Sequence, residues 1–422
     1  MTPKAPLTSQ SMSDWLDHLL SLHNIEVDLG LERITDIAQE MGLTHFENTK
    51  VVTVAGTNGK GSTCAMVEQL CLAKGHSVAV YSSPHFEHYR ERLRINGEEL
   101  YDAQHISAFI TVEKARADRA LSFFEFATLA ALELVRQQQP DVLILEVGLG
   151  GRLDATNIVQ SDCAAITSIG LDHVEYLGDT REKVGYEKAG IARANKPLII
   201  GEPECPQTVI DYADDIGAKL YLVGHDFNYV EQSSHWAFEF EHQHWSQLPL
   251  PKLPLANAAT ALAICHFLIP NLQLEHAKQG LEVAKLAGRM EYLSKQPSVL
   301  LDVAHNPHAA AYLKQQLPKV SGRTYGICGM LKDKDYQQVL SLLNDHIDSW
   351  HLVSLQTHRS ATAEQLQQAL CAQHSGDLDT HIYQDVASAW ERLKPQLCQD
   401  DMVLIFGSFY TVAEFKAHFL RE

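Results

Sequence analysis

Val51-Val52-Thr53-Val54-Ala55-Gly56-Thr57-Asn58-Gly59-Lys60-Gly61-Ser62-Thr63 is the stretch whose reading decides the fold. Its first residues are mostly β-branched and uncharged, the pattern of a buried strand. Gly56, Gly59 and Gly61 then crowd a short turn around Lys60. Beyond the turn, Cys64, Val67, Leu70 and Cys71 recur at helical spacing. Strand, glycine-rich turn, lysine, hydroxyl and helix together make a cradle for a nucleotide triphosphate. The glycines let backbone N–H groups approach phosphate oxygens, and the helix N-terminus adds partial positive charge. Lys60 would reach the outer phosphates, and Ser62 or Thr63 could meet a magnesium ion. The plainer alternative is a glycine turn before a helix. The general phosphate-loop pattern is matched imperfectly. Its first glycine would fall at Val54, and Gly61 follows the lysine where serine or threonine is usual.

Upstream, residues 12 to 22 read as an amphipathic helix, and Asp28 to Ile34 as a turn into a second one. Downstream, Val78 to Tyr81 reads as a strand that ends in Ser82-Ser83-Pro84-His85. Polar loops at the ends of buried strands are where α/β sheets bind ligands. Arg90, Arg92 and Arg94 alternate around Leu93 and Ile95, which reads as a solvated strand face. Residues 102 to 138 read as helix with a break near Ser122-Phe123-Phe124-Glu125. Asp141 to Glu146 is a buried strand with a carboxylate at its end, the placement that phosphate-loop enzymes use for a metal-binding acid. Ala164 to Ser168 is another strand, running into Leu171-Asp172-His173. Lys188, in the helix that begins near Thr180, reads by position alone as a surface lysine. Residues 197 to 255 read as short strands and loops, and Asn257 opens an alanine-rich helix. A second α/β pattern begins at Ser298, with strands near 299–303, 325–328, 350–353 and 402–406.

The chain has 422 residues, enough for two or three domains. The expected division is an ATP-binding domain over 1–288, a linker over 289–297 and a Rossmann-like domain over 298–422. The expected class is α/β: a phosphate-loop domain with a mainly parallel sheet, followed by the smaller α/β domain. The formal net charge of −19 argues against a nucleic-acid or membrane-surface partner, so an anionic ligand needs local positive groups. None of the eight cysteines forms a Cys-x-x-Cys pair, and several sit in apolar helical patterns. That points to a reducing compartment and a cytoplasmic protein.

In order, these motifs resemble those of the folylpolyglutamate synthases, the bifunctional dihydrofolate synthase/folylpolyglutamate synthases in particular, within the muramyl-ligase superfamily. The carriers are Gly56 to Ser62, Ser82 to His85, Glu146 to Asn157, Leu171 to His173, Glu187 to Ile191 and Asp302 to Pro307. The resemblance spans nearly the whole chain; one departure is Ala287, where many relatives carry proline. It implies ATP held by Thr57, Asn58, Gly59, Lys60, Gly61 and Ser62, with Asn257, Arg289 and Asp302. Ser83, Glu146 and His173 would hold two magnesium ions, or manganese. Lys188 matches the lysine that is carbamylated in the family. Leu29, Gly30, Leu31, Glu32, Ser122, Phe123, Phe124, Glu125, Leu153, Asp154 and Ala155 match the loops that hold the pterin substrate. His305 and Ser408 match positions near the incoming glutamate. Lys60, Lys188, His173 and His305 are the residues implied in catalysis.

The implied reaction adds L-glutamate to dihydropteroate and to the γ-carboxylate of reduced folates through an acyl phosphate. The implied partners are small molecules alone, with no nucleic acid and no membrane, and the chain is expected to act as a monomer. Three alternatives stay open: another amide ligase of the superfamily, a folylpolyglutamate synthase without the first activity, and a nucleotide-gated module that ligates nothing.

Overall fold

The computed structural model describes residues 5–22, 30–372 and 378–419. Leu29, expected at the pterin site, and Asp28, expected to open the turn before it, lie outside the described residues. The chain divides into two compact units, Met1–Lys285 and Leu286–Glu422.

The first unit is built on an eight-stranded sheet. Its strands are β1 (Lys50–Ala55), β2 (Val78–Tyr81), β3 (Leu93–Ile95), β4 (Glu98–Glu99), β5 (Val142–Glu146), β6 (Cys163–Ile166), β7 (Pro197–Ile200) and β8 (Lys219–Leu222). The spatial order is β4-β3-β2-β5-β1-β6-β7-β8. From β2 to β8 all pairings are parallel; β3 and β4 run antiparallel at one edge. The central strands are buried on both faces, as their continuous apolar runs require. Chain order leaves β1 toward β2 on one side and reaches β6 on the other. Ligands gather at such reversals, outside the carboxyl ends of the strands.

The helix Lys60–Lys74 follows β1 and is buried almost all round, which explains why its sequence is apolar on every face. It ends at Gly75, whose left-handed backbone lets the N–H groups of Gly75 and His76 reach carbonyls of the last turn. The expected break near residue 122 separates two helices, Asp102–Arg116 and Phe123–Gln138. Ser122 and Glu125 cap the second one reciprocally: Glu125 N–H donates to Ser122 Oγ at 3.2 Å, and Ser122 N–H to Glu125 Oε2 at 2.7 Å.

Residues 197–255 hold a helix, Gln207–Ile216, that the reading as strands and loops missed. Its period is carried by only two fully buried positions, Val209 and Ala213, among acidic and polar residues. That segment also carries a three-stranded antiparallel sheet: β9 (Phe227–Glu231), β10 (His235–Phe240) and β11 (Gln243–Pro249).

The second unit holds β12 (Glu291–Lys295), β13 (Ser298–Leu301), β14 (Thr324–Cys328), β15 (Ser349–Val353), β16 (Thr380–Tyr383) and β17 (Met402–Phe406), in the order β12-β13-β17-β14-β15-β16. All pairings except β12–β13 are parallel. Residues 289–297 were expected as a linker, yet Glu291–Lys295 pairs antiparallel with β13. An edge strand with half-exposed polar positions has no apolar run to announce it. Among the described residues, no helix is long and apolar enough to cross a membrane.

Candidate active site

The turn after β1 is laced to the end of β6. Thr57 N–H donates to Ser168 O at 2.9 Å, Asn58 N–H to Ser168 Oγ at 3.0 Å, and Thr167 Oγ1 to Asn58 O at 2.6 Å. Thr57 Oγ1 donates to Gly170 O and accepts from Gly170 N–H, both at 3.0 Å. Gly59 sits at φ +86°, and a Cβ there would come 2.6 Å from Asn257 Oδ1. Glycine is therefore required twice over, by backbone conformation and by the close approach of Asn257. Lys60 Nζ donates to Gly56 O at 2.9 Å and to Thr57 O at 3.3 Å, curling back over its own turn. Ser62 is buried in the first turn of the helix.

Ser83 follows β2, Glu146 ends β5 and His173 lies beyond β6, so one sheet edge presents a hydroxyl, a carboxylate and an imidazole. Val54 pairs with Glu146 in register, which sets the carboxylate level with the last turn of β1. Among the described residues, no three His, Cys, Asp or Glu side chains form a metal cluster. The donor set still suits magnesium, which keeps several waters and takes phosphate oxygens to complete its shell.

Lys188 is not a surface lysine. It is 2% exposed in the helix Arg181–Ala189. Burial is the main cause that lowers its ammonium from the ordinary 10.5 to about 7; the charge of Lys60 adds to this, and Asp172 and Asp154 oppose it.

The aromatic end of the site lies beside β2 and β5. Phe124 stacks on Tyr81 with centroids 6.1 Å apart, and its ring covers Gly148, where a Cβ would clash at 2.8 Å. Leu31, Phe123, Phe124 and Ala155 share one apolar core, which places three of the predicted pterin loops together. Gly30 has open space where a side chain would be, and Glu32 is exposed at the start of its helix. Leu153 is half-buried. Arg33 Nη2 donates to Glu125 Oε1 at 3.1 Å, tying the helix Glu32–Glu40 to the capping box.

Asp154 is buried and accepts from four donors of its own loop: Gly148 N–H, Leu149 N–H, Thr156 N–H and Thr156 Oγ1. Burial pushes its carboxyl up, while these donors pull toward the anion. With its lone pairs used, Asp154 acts through the shape of the loop rather than as a free polar contact. The same loop is latched to the Lys188 helix by the Arg152–Glu187 ion pair at 2.8 Å.

In the second unit, Asp302 accepts from Ala304 N–H at 2.8 Å and Met290 N–H at 3.1 Å, just past β13. Arg289 lies over the Phe409 ring at 5.3 Å, and His305 lies against the same ring at 6.3 Å. Ser408 accepts from Thr411 N–H at 3.0 Å and donates to Thr411 Oγ1, which donates onward to Gly329 O. Its hydroxyl thus caps the helix Phe409–Phe419.

Sequence reasoning missed Tyr81, Thr167, Ser168 and Arg92. The first three stand at or just beyond strand ends, so the rule that singled out Ser83 could have found them. Arg92 was hidden by its alternation. It lies in a 3₁₀ turn (Tyr89–Arg92) and is 8% exposed, while Arg94 pairs with buried Glu68 at 2.8 Å. Arg90, paired with Glu99 at 3.1 Å, is half-exposed.

Residues 54–249 match the Mur ligase middle domain, and residues 288–409 match the Mur ligase glutamate ligase domain. A dihydrofolate synthase/folylpolyglutamate synthase of Escherichia coli (strain K12) is 45% identical over 413 residues, covering 97% of this chain and 96% of that protein. Escherichia coli FolC in complex with DHPP and ADP superposes with a TM-score of 0.93 at 44% identity, covering 100% of this chain and 99% of the other. A bifunctional folylpolyglutamate synthase/dihydrofolate synthase with Mn, AMPPNP and L-glutamate bound gives a TM-score of 0.92 at 44% identity, with both chains fully covered.

Proposed function

Because this chain belongs to the Mur ligase family, with bifunctional dihydrofolate synthase/folylpolyglutamate synthases as full-length relatives, we propose that it is an ATP-dependent ligase that joins L-glutamate to dihydropteroate and to the γ-carboxylate of reduced folates. The observation that carries the reading is the single strand edge β2-β5-β1-β6. The Gly56–Ser62 turn and the Phe124–Tyr81 ring pair stand at ends of these adjacent strands, which supports a nucleotide and a flat acceptor meeting there.

A carboxylate does not condense with an amine in water, because its oxygen leaves poorly. Transfer of the γ-phosphoryl group of ATP to the acceptor carboxylate makes an acyl phosphate. The glutamate amine then attacks the acyl carbon, phosphate leaves, and the amine loses a proton. Thr57 to Ser62 and Asn257 would hold the nucleotide, and Arg289 and Asp302 match further nucleotide-binding positions of the family. Lys60 would leave its two turn carbonyls for phosphate oxygens and neutralise the group in transfer. Ser83, Glu146 and His173 would hold the divalent cation, which supplies Lewis acidity toward phosphate oxygens. His305 and Ser408 would lie near the incoming glutamate, Ser408 by shaping the helix start.

Lys188 serves in this reading as its carbamate. The lowered pKa leaves much of the amine neutral near pH 7. The neutral amine adds to carbon dioxide and releases a proton, and the product is an anion suited to a cationic neighbourhood. The chain acts in the cytoplasm as a monomer.

The test is ADP release with dihydropteroate, tetrahydrofolate or a muramyl acceptor, each with and without L-glutamate. Glutamate-dependent ADP with the first two and none with the third is the expected pattern. Activity with tetrahydrofolate alone would reduce the assignment to a folylpolyglutamate synthase. ADP release indifferent to glutamate would indicate a nucleotide-gated module.

A further inference from the structure

Arg92 is a cation only 8% exposed that has, among the described residues, no counterion. Its guanidinium carbon lies 5.2 Å over the Phe123 ring and 6.0 Å from the Tyr89 ring. Its Nε donates to His85 Nδ1 at 2.8 Å. Its other side-chain partner is the Tyr81 hydroxyl, and among the described residues it has no carboxylate within ion-pair distance. The nearby acids are committed elsewhere. Glu91 accepts from the N–H groups of Phe86, Glu87 and His88, and Asp154 is filled by its own loop. Tyr81, which stacks on Phe124, feels the charges of both Arg92 and Asp154.

The position is as informative as the missing partner. On one side Arg92 rests on Phe123, next to Phe124, the ring stacked on Tyr81. On the other it is bonded to His85, in the loop that carries Ser83 at the phosphate-facing edge. A flat acceptor seated against Phe124 with its acid turned toward the phosphate turn would bring that acid past the guanidinium. Burying a charge without a partner is costly, and a ligand carboxylate would complete it with charge-assisted, paired hydrogen bonds. We propose that Arg92 is the receptor for the acceptor's carboxylate, holding the acid that is to be phosphorylated. This rests on the function proposed above and adds to it the residue that distinguishes an acid acceptor from its neutral analogue.

The test compares binding of dihydropteroate and of its carboxamide, without ATP, by calorimetry. Wild type is expected to bind the acid on the order of tenfold tighter or more, as for a charged hydrogen bond. Arg92→Gln should bind the carboxamide as wild type does, which also reports an intact pocket, and should lose the preference for the acid. Arg92→Lys keeps the charge without the planar fork and should retain part of the preference. The KM for dihydropteroate should rise in Arg92→Gln while the KM for ATP stays unchanged. A variant that keeps the wild-type acid preference, or weakens acid and amide equally, overturns the proposal and leaves the function standing. Wild type that binds neither compound overturns both.

Discussion

Lys60 and Lys188 end in the same ammonium group and stand in the same α/β unit, yet their surroundings make them different chemical species. Lys60 opens a helix, is half-buried, and has two turn carbonyls at 2.9 and 3.3 Å to hold its charge. Lys188 closes a helix, is 2% exposed, and is pushed to about 7 by burial first and by Lys60 second. Lys60 is gripped by the carbonyls of its own turn; Lys188 is held near neutrality, where its nitrogen is a nucleophile. Residue type sets what a group can become, and the surroundings decide which form it takes.

The comparison breaks first at Lys60. Lys60→Ala should lower turnover by on the order of a hundredfold or more, with circular dichroism unchanged. Near-wild-type turnover would remove the turn after β1 from the reaction.

Lys188→Met sharpens the contrast, because it separates activity from stability. Turnover should fall nearly as far as in Lys60→Ala. Stripping dissolved carbon dioxide should slow the wild type and leave the residual rate of the variant unaltered. Stability should move the other way. Between about pH 7 and 10.5 the unfolded wild type carries a proton on Lys188 that the folded form does not. Wild-type stability should therefore rise with pH across that window relative to the variant, as denaturation in carbonate-free buffer would read. Parallel pH curves would mean that Lys188 keeps its ordinary pKa when folded.

The two lysines also mark what the sequence could and could not convey. The strand, turn and helix around Lys60 were legible, because glycine spacing and apolar periodicity are local properties. Placement of Ser83, Glu146 and His173 at strand ends followed from the same periodicity. The burial of Lys188 and Arg92 was not legible, since it depends on which distant segments cover them. Lys188 stood out only by resemblance to a family, and Arg92 was misread as a solvated face. Strand β12 was missed for a related reason: an edge strand with polar alternation carries no signal until its partner β13 is in place. Asp154 was expected as a substrate contact, and only the structure shows its four loop donors.

A third region tests how far the Phe124–Tyr81 ring pair is separable from the turn at Lys60. Phe124→Ala removes the ring that stacks on Tyr81 and covers Gly148. It should weaken dihydropteroate use by on the order of tenfold, as expected for a buried aromatic contact. Tetrahydrofolate extension should suffer less, because the longer substrate reaches the phosphates from a different position. Equal losses in a paired assay would place both acceptors against the same wall.

The smallest effect concerns a base that burial neutralises without any catalytic use. His105 is 2% exposed, packs edge-on against Tyr89, and is lowered by burial to about 4 from 6.5. Above pH 6.5 its contribution to stability is complete. As pH falls from 6.5 toward 4, the unfolded chain takes a proton that the folded chain refuses, and stability drains away. His105→Phe, in an already aromatic nest, should flatten that part of the pH–stability curve. An unchanged acid limb would assign the loss to other groups.

If one strand edge activates an acceptor acid as its acyl phosphate, isotope transfer shows it most directly. Dihydropteroate labelled with ¹⁸O in its carboxylate is incubated with the protein, ATP, magnesium and L-glutamate, and the released phosphate is weighed by mass spectrometry. The account predicts dihydrofolate as product and one carboxylate oxygen transferred to each phosphate, with no phosphate released when glutamate is left out. Unlabelled phosphate, or phosphate release without dihydrofolate, would contradict it.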